Sequence, residues 1–377
     1  MKEKKRILIW EMLSSMSGGQ RVALDVLDSI SREHVCHFVL PDEGALLEEI
    51  IKRNIGYSLI RLGQYTDKRK NLIDIIKFIF YFPIVLIKII KVVKKENIDM
   101  LYCNGARTFF FSVIVGQFLD LPVIWHIHNY FEDKKIVKLL TIFGSCNKVR
   151  KILFVSNDSK SQFIKLNYKS EVLYNCTQQN KLNKEHFYKK TKTKNKIFSI
   201  AHIGVVCPAK GQLVFLKAIP IILDSIHNVF FKIIGNINKD EGYYYSLVKF
   251  IEEHKISQYV KFLGQQKNMN QQYPLIDITT VNSVVHFESC PLVILESYVY
   301  GIPAIGSNIG GTPEIIKDNN TGFVYERGNE KDLAEKIIKL ITEPELYKKL
   351  SENCKSYSRH FSFENYSRKI RNIVNSV

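Results

Sequence analysis

The chain has 377 residues, 46% of them hydrophobic, which bounds it at two domains that each bury a core. Fifty-four Lys and Arg against 37 Asp and Glu leave a formal charge of +17. That balance points to an anionic partner (nucleic acid, a lipid surface or a phosphorylated ligand), or simply to a lysine-rich surface. The seven cysteines stand singly, with no C-x-x-C, so no disulfide framework or zinc site is readable and a reducing compartment is expected.

The opening MKEKKRILIW is basic and runs into a polar stretch without the apolar region of a signal peptide. Short apolar runs then alternate with amphipathic ones. Strands are predicted at Arg6–Trp10, Val35–Leu40, Tyr57–Leu62, Ile98–Cys103, Val123–Ile127, Lys151–Val155 and Glu171–Tyr174. The segment Leu72 to Val93 holds a ten-residue uncharged core, Phe78 to Ile87, flanked by Lys77, Lys88 and Lys91 and interrupted by Pro83. Crossing a bilayer takes about 20 apolar residues, so the segment is read either as a helix lying on an anionic membrane or as a buried helix. A polar, lysine-rich stretch, 178–196, reads as a linker. Six more strands follow, at Ile197–Ile203, Val229–Ile234, Tyr259–Leu263, Ile276–Val281, Pro303–Gly306 and Gly322–Tyr325. Strand–helix alternation predicts two doubly wound parallel sheets, whose ligands sit at the carboxyl ends of the strands, in a cleft between the domains.

Four segments carry chemistry. Ser14 to Gln20, SSMSGGQ, lies between the first strand and the first helix. Its Gly18 and Gly19 admit a close phosphate or sugar, although a Gly-Gly turn also has a purely structural use. Val123 to Asn129 ends in His126 and His128, on one face by strand alternation. His128 is read as a substrate contact and His126 as a structural histidine; a metal is discounted because no third ligand is near. In Ile203 to Leu216 a strand-to-helix loop carries Lys210 and Gly211, a cation for a departing diphosphate and a glycine that lets backbone approach.

Phe287 to Glu314 is the most informative segment. Glu288 and Glu296 flank a helix start at which Pro291 is expected in the first helical position and Ser289 or Cys290 as cap. The free amides near Leu292 and Val293 suit a phosphate. Glu296 can accept from ribose hydroxyls and Glu288 from sugar hydroxyls. Gly301 and Pro303 close the helix, and Gly310, Gly311, Thr312, Pro313 and Glu314 follow.

Together, in this order and over nearly the whole chain, these segments resemble glycosyltransferase family 4, the retaining group 1 glycosyl transferases of the GT-B fold. The resemblance implies two Rossmann-like domains facing across a cleft: an acceptor domain, 1–177, a linker, 178–196, and a donor domain, 197–360. It also implies a terminal helix, 361–377, that returns to the first domain. It implies transfer from a UDP- or GDP-linked sugar to a saccharide or lipid-linked acceptor, with no metal or other cofactor. The implied catalytic residues are His128, Lys210 and Glu288. The implied donor contacts are Gly18, Gly19, Lys210, Gly211, Glu288, Cys290, Pro291, Leu292, Val293 and Glu296. Two positions depart from the family pattern: Val205 stands where Arg is usual, and Pro291 where many members carry Gly.

The expected setting is the cytoplasmic face of a membrane, in envelope polysaccharide or glycolipid synthesis. Nucleic acid is not an expected partner, since no binding motif for it is present. A basic nucleic-acid binder and an inactive donor-binding relative, suggested by Val205, are the alternatives. A glycosidase would need two carboxyls about 5–9.5 Å apart. Glu288 and Glu296, eight positions apart on a loop and helix, are expected on the order of 10 Å apart at the backbone.

Overall fold

A computed structural model describes residues 4–61, 72–178, 197–237, 240–285 and 288–377. The predicted linker therefore lies almost wholly outside the described residues, as do Leu62 and Phe287. The chain divides into two compact units, one of residues 1–175 with 364–377, the other of residues 176–363.

In the first unit the elements are β1 (Arg6–Glu11), α1 (Gly18–Ile30), β2 (Val35–Leu40), α2 (Ala45–Lys52), β3 (Gly56–Leu59), α3 (Leu72–Lys95) and β4 (Met100–Asn104). They continue with α4 (Ala106–Leu119), β5 (Val123–Ile127), α5 (Lys134–Gly144), β6 (Val149–Phe154), α6 (Asn157–Ser161) and β7 (Ser170–Val172). Among the described residues the strands form one parallel sheet in the order β3-β2-β1-β4-β5-β6-β7. The central strands are buried along their length, so they read as continuous apolar runs. The order reverses between β1 and β4, and at that switch the terminal residues Glu11 and Asn104 are register partners. Ligands of open parallel sheets bind at such a point.

The second unit holds β8 (Phe198–Ile203), α7 (Gln212–Leu223), β9 (Val229–Ile234), α8 (Glu241–Glu253), β10 (Val260–Gly264), β11 (Ile278–Val281) and α9 (Leu292–Val299). Then come β12 (Ala304–Ser307), α10 (Thr312–Ile315), β13 (Gly322–Tyr325), α11 (Glu330–Thr342) and α12 (Pro344–Ser358). Its parallel sheet runs β10-β9-β8-β11-β12-β13, with the switch between β8 and β11. Each predicted strand is present, shifted by up to two residues at its start and three at its end.

The last helix, α13 (Phe363–Ser376), belongs to the first unit from Glu364 onward. It buries Tyr366, Ile370, Ile373 and Val374 and is tied to the rest of the unit by two further contacts. The Lys5 ammonium donates to the Val374 carbonyl at 3.1 Å, and Arg371 pairs with Glu33 at 3.3 Å.

Helix α3 is buried along one face and exposed along another. Val85, Ile89 and Val93 enter the core of the unit, while Tyr81, Ile84 and Ile87 are about half exposed. Lys88, Lys91, Lys94 and Lys95 are exposed too. Among the described residues no helix is long and apolar enough to cross a membrane.

Because Ile370 is wholly buried, Ile370→Ala is expected to cost about 3 kcal/mol through lost transfer energy and a residual cavity. Denaturant unfolding followed by circular dichroism would show it as a lower midpoint, whereas an exposed neighbour such as Lys369→Ala should leave the midpoint in place.

Candidate functional site

In the second unit the carboxyl end of β8 passes through Gly204 into a short 3₁₀ turn, Pro208–Lys210. Gly211 follows in the left-handed region, at φ +69°, and opens α7. A Cβ there would stand 1.9 Å from the Asn282 carbonyl oxygen, so the turn lies directly on the residue that follows β11. The Val284 amide donates to the Ala209 carbonyl at 3.1 Å and locks the same contact. Asn282 is buried and bonded to His202, Thr280 and Tyr325, which makes this floor rigid. The Lys210 stem lies over Gly204, and its ammonium forms an ion pair with Glu288.

Glu288 is held by the second glycine pair. Its carbonyl accepts from the Gly311 amide at 2.9 Å, and a Cβ on Gly310, at φ +62°, would stand 2.4 Å from that oxygen. The chain then turns through buried Ser289, Cys290 and Pro291 into α9. No side chain caps α9, whose first residues, Leu292 and Val293, are partly exposed. An uncapped start leaves amide donors and the positive end of the helix dipole for an anion. One turn in, Glu296 accepts a hydrogen bond from the hydroxyl of buried Tyr273. Tyr273 stacks on Tyr300 at 5.2 Å between ring centroids. Burial, with help from the Glu296 charge, pushes the Tyr300 hydroxyl up to about 12, so it stays protonated.

The first unit presents a different constellation at its own switch point. Glu11 is wholly buried, and its carboxylate accepts from the Met12 amide (2.7 Å), the Gln20 side chain (3.1 Å) and the Asn104 side chain. Burial pushes this carboxyl up to about 7 even though those hydrogen bonds pull it down. The Asn104 carbonyl accepts from His128 Nε2 at 2.7 Å, and its amide also donates to the Gly19 carbonyl at 3.1 Å. His126 and His128 share a face, with ring centroids 4.3 Å apart, and His126 bonds the Tyr102 hydroxyl at 2.9 Å. Burial lowers His128 to about 4 and His126 well below the usual imidazole range, so both are neutral at pH 7. Gly18 and Gly19 form the first turn of α1, after Ser17, and a Cβ on Gly19 would meet nothing within 4 Å.

The second unit thus brings together Lys210, Gly211, Glu288, Cys290, Pro291, Leu292, Val293 and Glu296 on the loops and helix start beside β8 and β11. The first unit gathers Gly18, Gly19 and His128 beside β1, β4 and β5. One detail corrects the sequence expectation. Pro291 is the cap of α9 rather than its first helical residue, because its ψ of 107° is extended; Leu292 is the first. Val205, where the family pattern has Arg, is partly buried, and its carbonyl accepts from Gln212 at 2.9 Å. Sequence reasoning missed Glu11, Asn104 and Tyr273. A polar residue ending each of two apolar strands, RILIWE and MLYCN, was the available signal for the first two.

Comparison with known proteins fits this architecture. The family model for Glycosyltransferase Family 4 matches residues 16–178, and that for Glycosyl transferases group 1 matches residues 182–357. The chain belongs to the group 1, family 4-like glycosyltransferases, and is a transferase of two Rossmann-like domains. It is similar to an Escherichia coli UDP-Gal:alpha-D-GlcNAc-diphosphoundecaprenol alpha-1,3-galactosyltransferase, at 24% identity over 94% of this chain and 92% of that one. An uncharacterized glycosyltransferase of Methanocaldococcus jannaschii is 28% identical over 76% of this chain and 78% of its own length. Among solved structures, Anabaena HepE in complex with UDP superposes with a TM-score of 0.84 at 17% identity, over 99% of this chain and 100% of that one.

Gly211→Ala and Gly264→Ala provide a controlled test of the Lys210 turn. Both glycines have φ near +65°, but nothing lies within 4 Å of a Cβ at Gly264. Both should lose about 1 kcal/mol to left-handed strain, and Gly211→Ala clearly more, read in denaturant midpoints.

Proposed function

We propose that the enzyme transfers a sugar from a UDP- or GDP-linked donor to the hydroxyl of a saccharide or lipid-linked acceptor, with retention at the anomeric carbon and without a metal. The observation that carries this reading is the Lys210–Glu288 ion pair beside the uncapped start of α9. A nucleoside diphosphate sugar offers a partner to each group. Its diphosphate suits the Lys210 ammonium and the amides of Leu292 and Val293. Its sugar hydroxyls suit Glu288, and its ribose hydroxyls suit Glu296. Gly211, Cys290 and Pro291 shape the backbone around the diphosphate.

Two relatives support the donor class. Anabaena HepE has been solved with UDP and with UDP-glucose, and the Escherichia coli relative carries UDP-Gal in its name.

In the transfer, the bond from the anomeric carbon to the diphosphate oxygen breaks while the acceptor oxygen bonds that carbon from the same face. The acceptor proton passes to the departing phosphate. Negative charge builds on that phosphate, and a preorganised ammonium with aligned amides lowers such a barrier more than any group free to reorient. Metal independence follows from the same reasoning, since Lys210 and the helix start supply the positive charge. Gly18 and Gly19 lie near phosphate and acceptor in this reading. His128, neutral, contacts the transferred sugar as a hydrogen-bonding group rather than as a cation. Donor binding without transfer is the second reading, and Val205 in the place of an arginine favours it.

The acceptor domain is proposed to work at the cytoplasmic face of an anionic membrane, in envelope polysaccharide or glycolipid synthesis. Two helices support this. The exposed Tyr81, Ile84 and Ile87 of α3 lie beside lysines, and α5 repeats the pattern with exposed Ile136, Leu139 and Ile142 beside Lys134, Lys135 and Lys138. Both helices pack on α4. Exposed apolar residues flanked by lysines suit an anionic lipid surface.

Lys210→Ala and Glu296→Ala are each expected to lower turnover at least about tenfold, roughly 1.4 kcal/mol of barrier, with unchanged far-ultraviolet circular dichroism. Donor binding that survives in a wild type with no turnover would favour the second reading. The full-length protein should co-sediment with phosphatidylglycerol vesicles at low salt, less at high salt, and less again after Ile84→Glu with Ile142→Glu. Equal recovery in the supernatant with and without vesicles would remove the membrane from the account.

A further inference from the structure

Glu11 lies at the floor of the first unit's switch point, one residue removed from His128. The chain of contacts between them has only one consistent set of donors and acceptors. Glu11 is ionised above about pH 7 and then offers acceptors alone. The Asn104 side chain faces two acceptors, the Glu11 carboxylate and the Gly19 carbonyl, so its NH₂ must point that way. Its carbonyl oxygen therefore faces His128 Nε2, 2.7 Å away, and that nitrogen must carry the proton. A neutral imidazole protonated at Nε2 has its lone pair at Nδ1. Burial keeps the ring neutral, since its pKa lies at about 4.

We propose that Glu11 is a positioning residue: through Asn104 it fixes the Nε2–H tautomer of His128 and so presents Nδ1 to substrate as a hydrogen-bond acceptor. The inference rests on the proposed role of His128 as a contact of the transferred sugar, and it adds what that contact accepts: a hydroxyl proton, not a carbonyl or phosphate oxygen. Gln20 and the Met12 amide complete the device. Both donate to the other Glu11 oxygen, and Ser17 in turn donates to Gln20, so the carboxylate cannot turn away from Asn104.

Glu11→Gln is the discriminating change because it keeps the shape and alters the polarity. The Met12 amide is a fixed donor, so the glutamine oxygen must face it and the glutamine NH₂ must face Asn104. Asn104 then lies between a donor, the new glutamine NH₂, and an acceptor, the Gly19 carbonyl, so neither of its orientations is favoured as in the wild type and the His128 proton is no longer held at Nε2. Histidine tautomers are read directly from long-range proton–nitrogen correlation spectra of the full-length, ¹⁵N-histidine-labelled protein. The His128 resonance is assigned by its loss in His128→Gln. At pH 8 the wild type should show His128 as the neutral Nε2–H form alone, and Glu11→Gln a substantial share of the Nδ1–H form. Turnover should fall by about tenfold, mostly in kcat. Asn104→Ala, which cuts the link and leaves the other Glu11 contacts, should give a mixture of the two forms. An Nδ1–H ring in the wild type would overturn the proposal. So would an unchanged tautomer in both folded variants, or a shifted tautomer with undiminished turnover. The spectra need no substrate, so a wild type that binds no nucleotide sugar would show the failure of the donor reading separately from that of the relay.

Discussion

The ion pair between Lys210 and Glu288 joins two loops 78 residues apart in sequence, and the candidate site of the second unit is built around it. Both side chains are largely withdrawn from water, at 11% and 19% exposure, so neither charge is well solvated without the other. Breaking such a pair by removing one member is costly, because an uncompensated charge remains. Replacing each member with a better partner is not. A diphosphate for the lysine and sugar hydroxyls for the carboxylate would separate the pair while leaving both groups satisfied. The resting protein thus holds its two principal polar groups in place by letting them neutralise each other.

The surrounding backbone explains why glycines recur here. Gly211 has no room for a side chain against Asn282, and Gly310 has none against Glu288. Each glycine brings a loop onto the carboxyl edge of the sheet at close range. One positions the cation and the other the carboxylate. Between them α9 begins without a side-chain cap, so its amides remain available to a ligand.

Much of this was legible in the sequence because it depends on local pattern. Alternation of apolar runs with amphipathic ones located the strands of both sheets, and the Glu288-to-Glu314 segment with its glycines marked the loops that gather at the carboxyl edge of the second sheet. The parts that were not legible depend on pairing across the sheet. Glu11 and Asn104 are 93 residues apart and look unremarkable in their own strands; only the β1–β4 register makes them neighbours. Tyr273 is equally silent, because its hydroxyl meets Glu296 from a different loop. The same holds for α3. Its hydropathy could not separate a core helix from a surface one, since Val85 and Ile89 face inward while Ile84 and Ile87 face outward on the same turns. The place of Pro291 turned on a single ψ angle, which composition does not encode.

The most direct test of the central claim is calorimetric titration of the protein with UDP- and GDP-sugars, compared with the matching nucleoside monophosphates and with the Lys210→Ala variant. If Lys210 and the start of α9 hold a diphosphate, a nucleoside diphosphate sugar should bind the wild type more tightly than the monophosphate by about tenfold or more. Lys210→Ala should erase most of that difference. Equal affinity for mono- and diphosphates, or an advantage that survives loss of Lys210, would contradict the account.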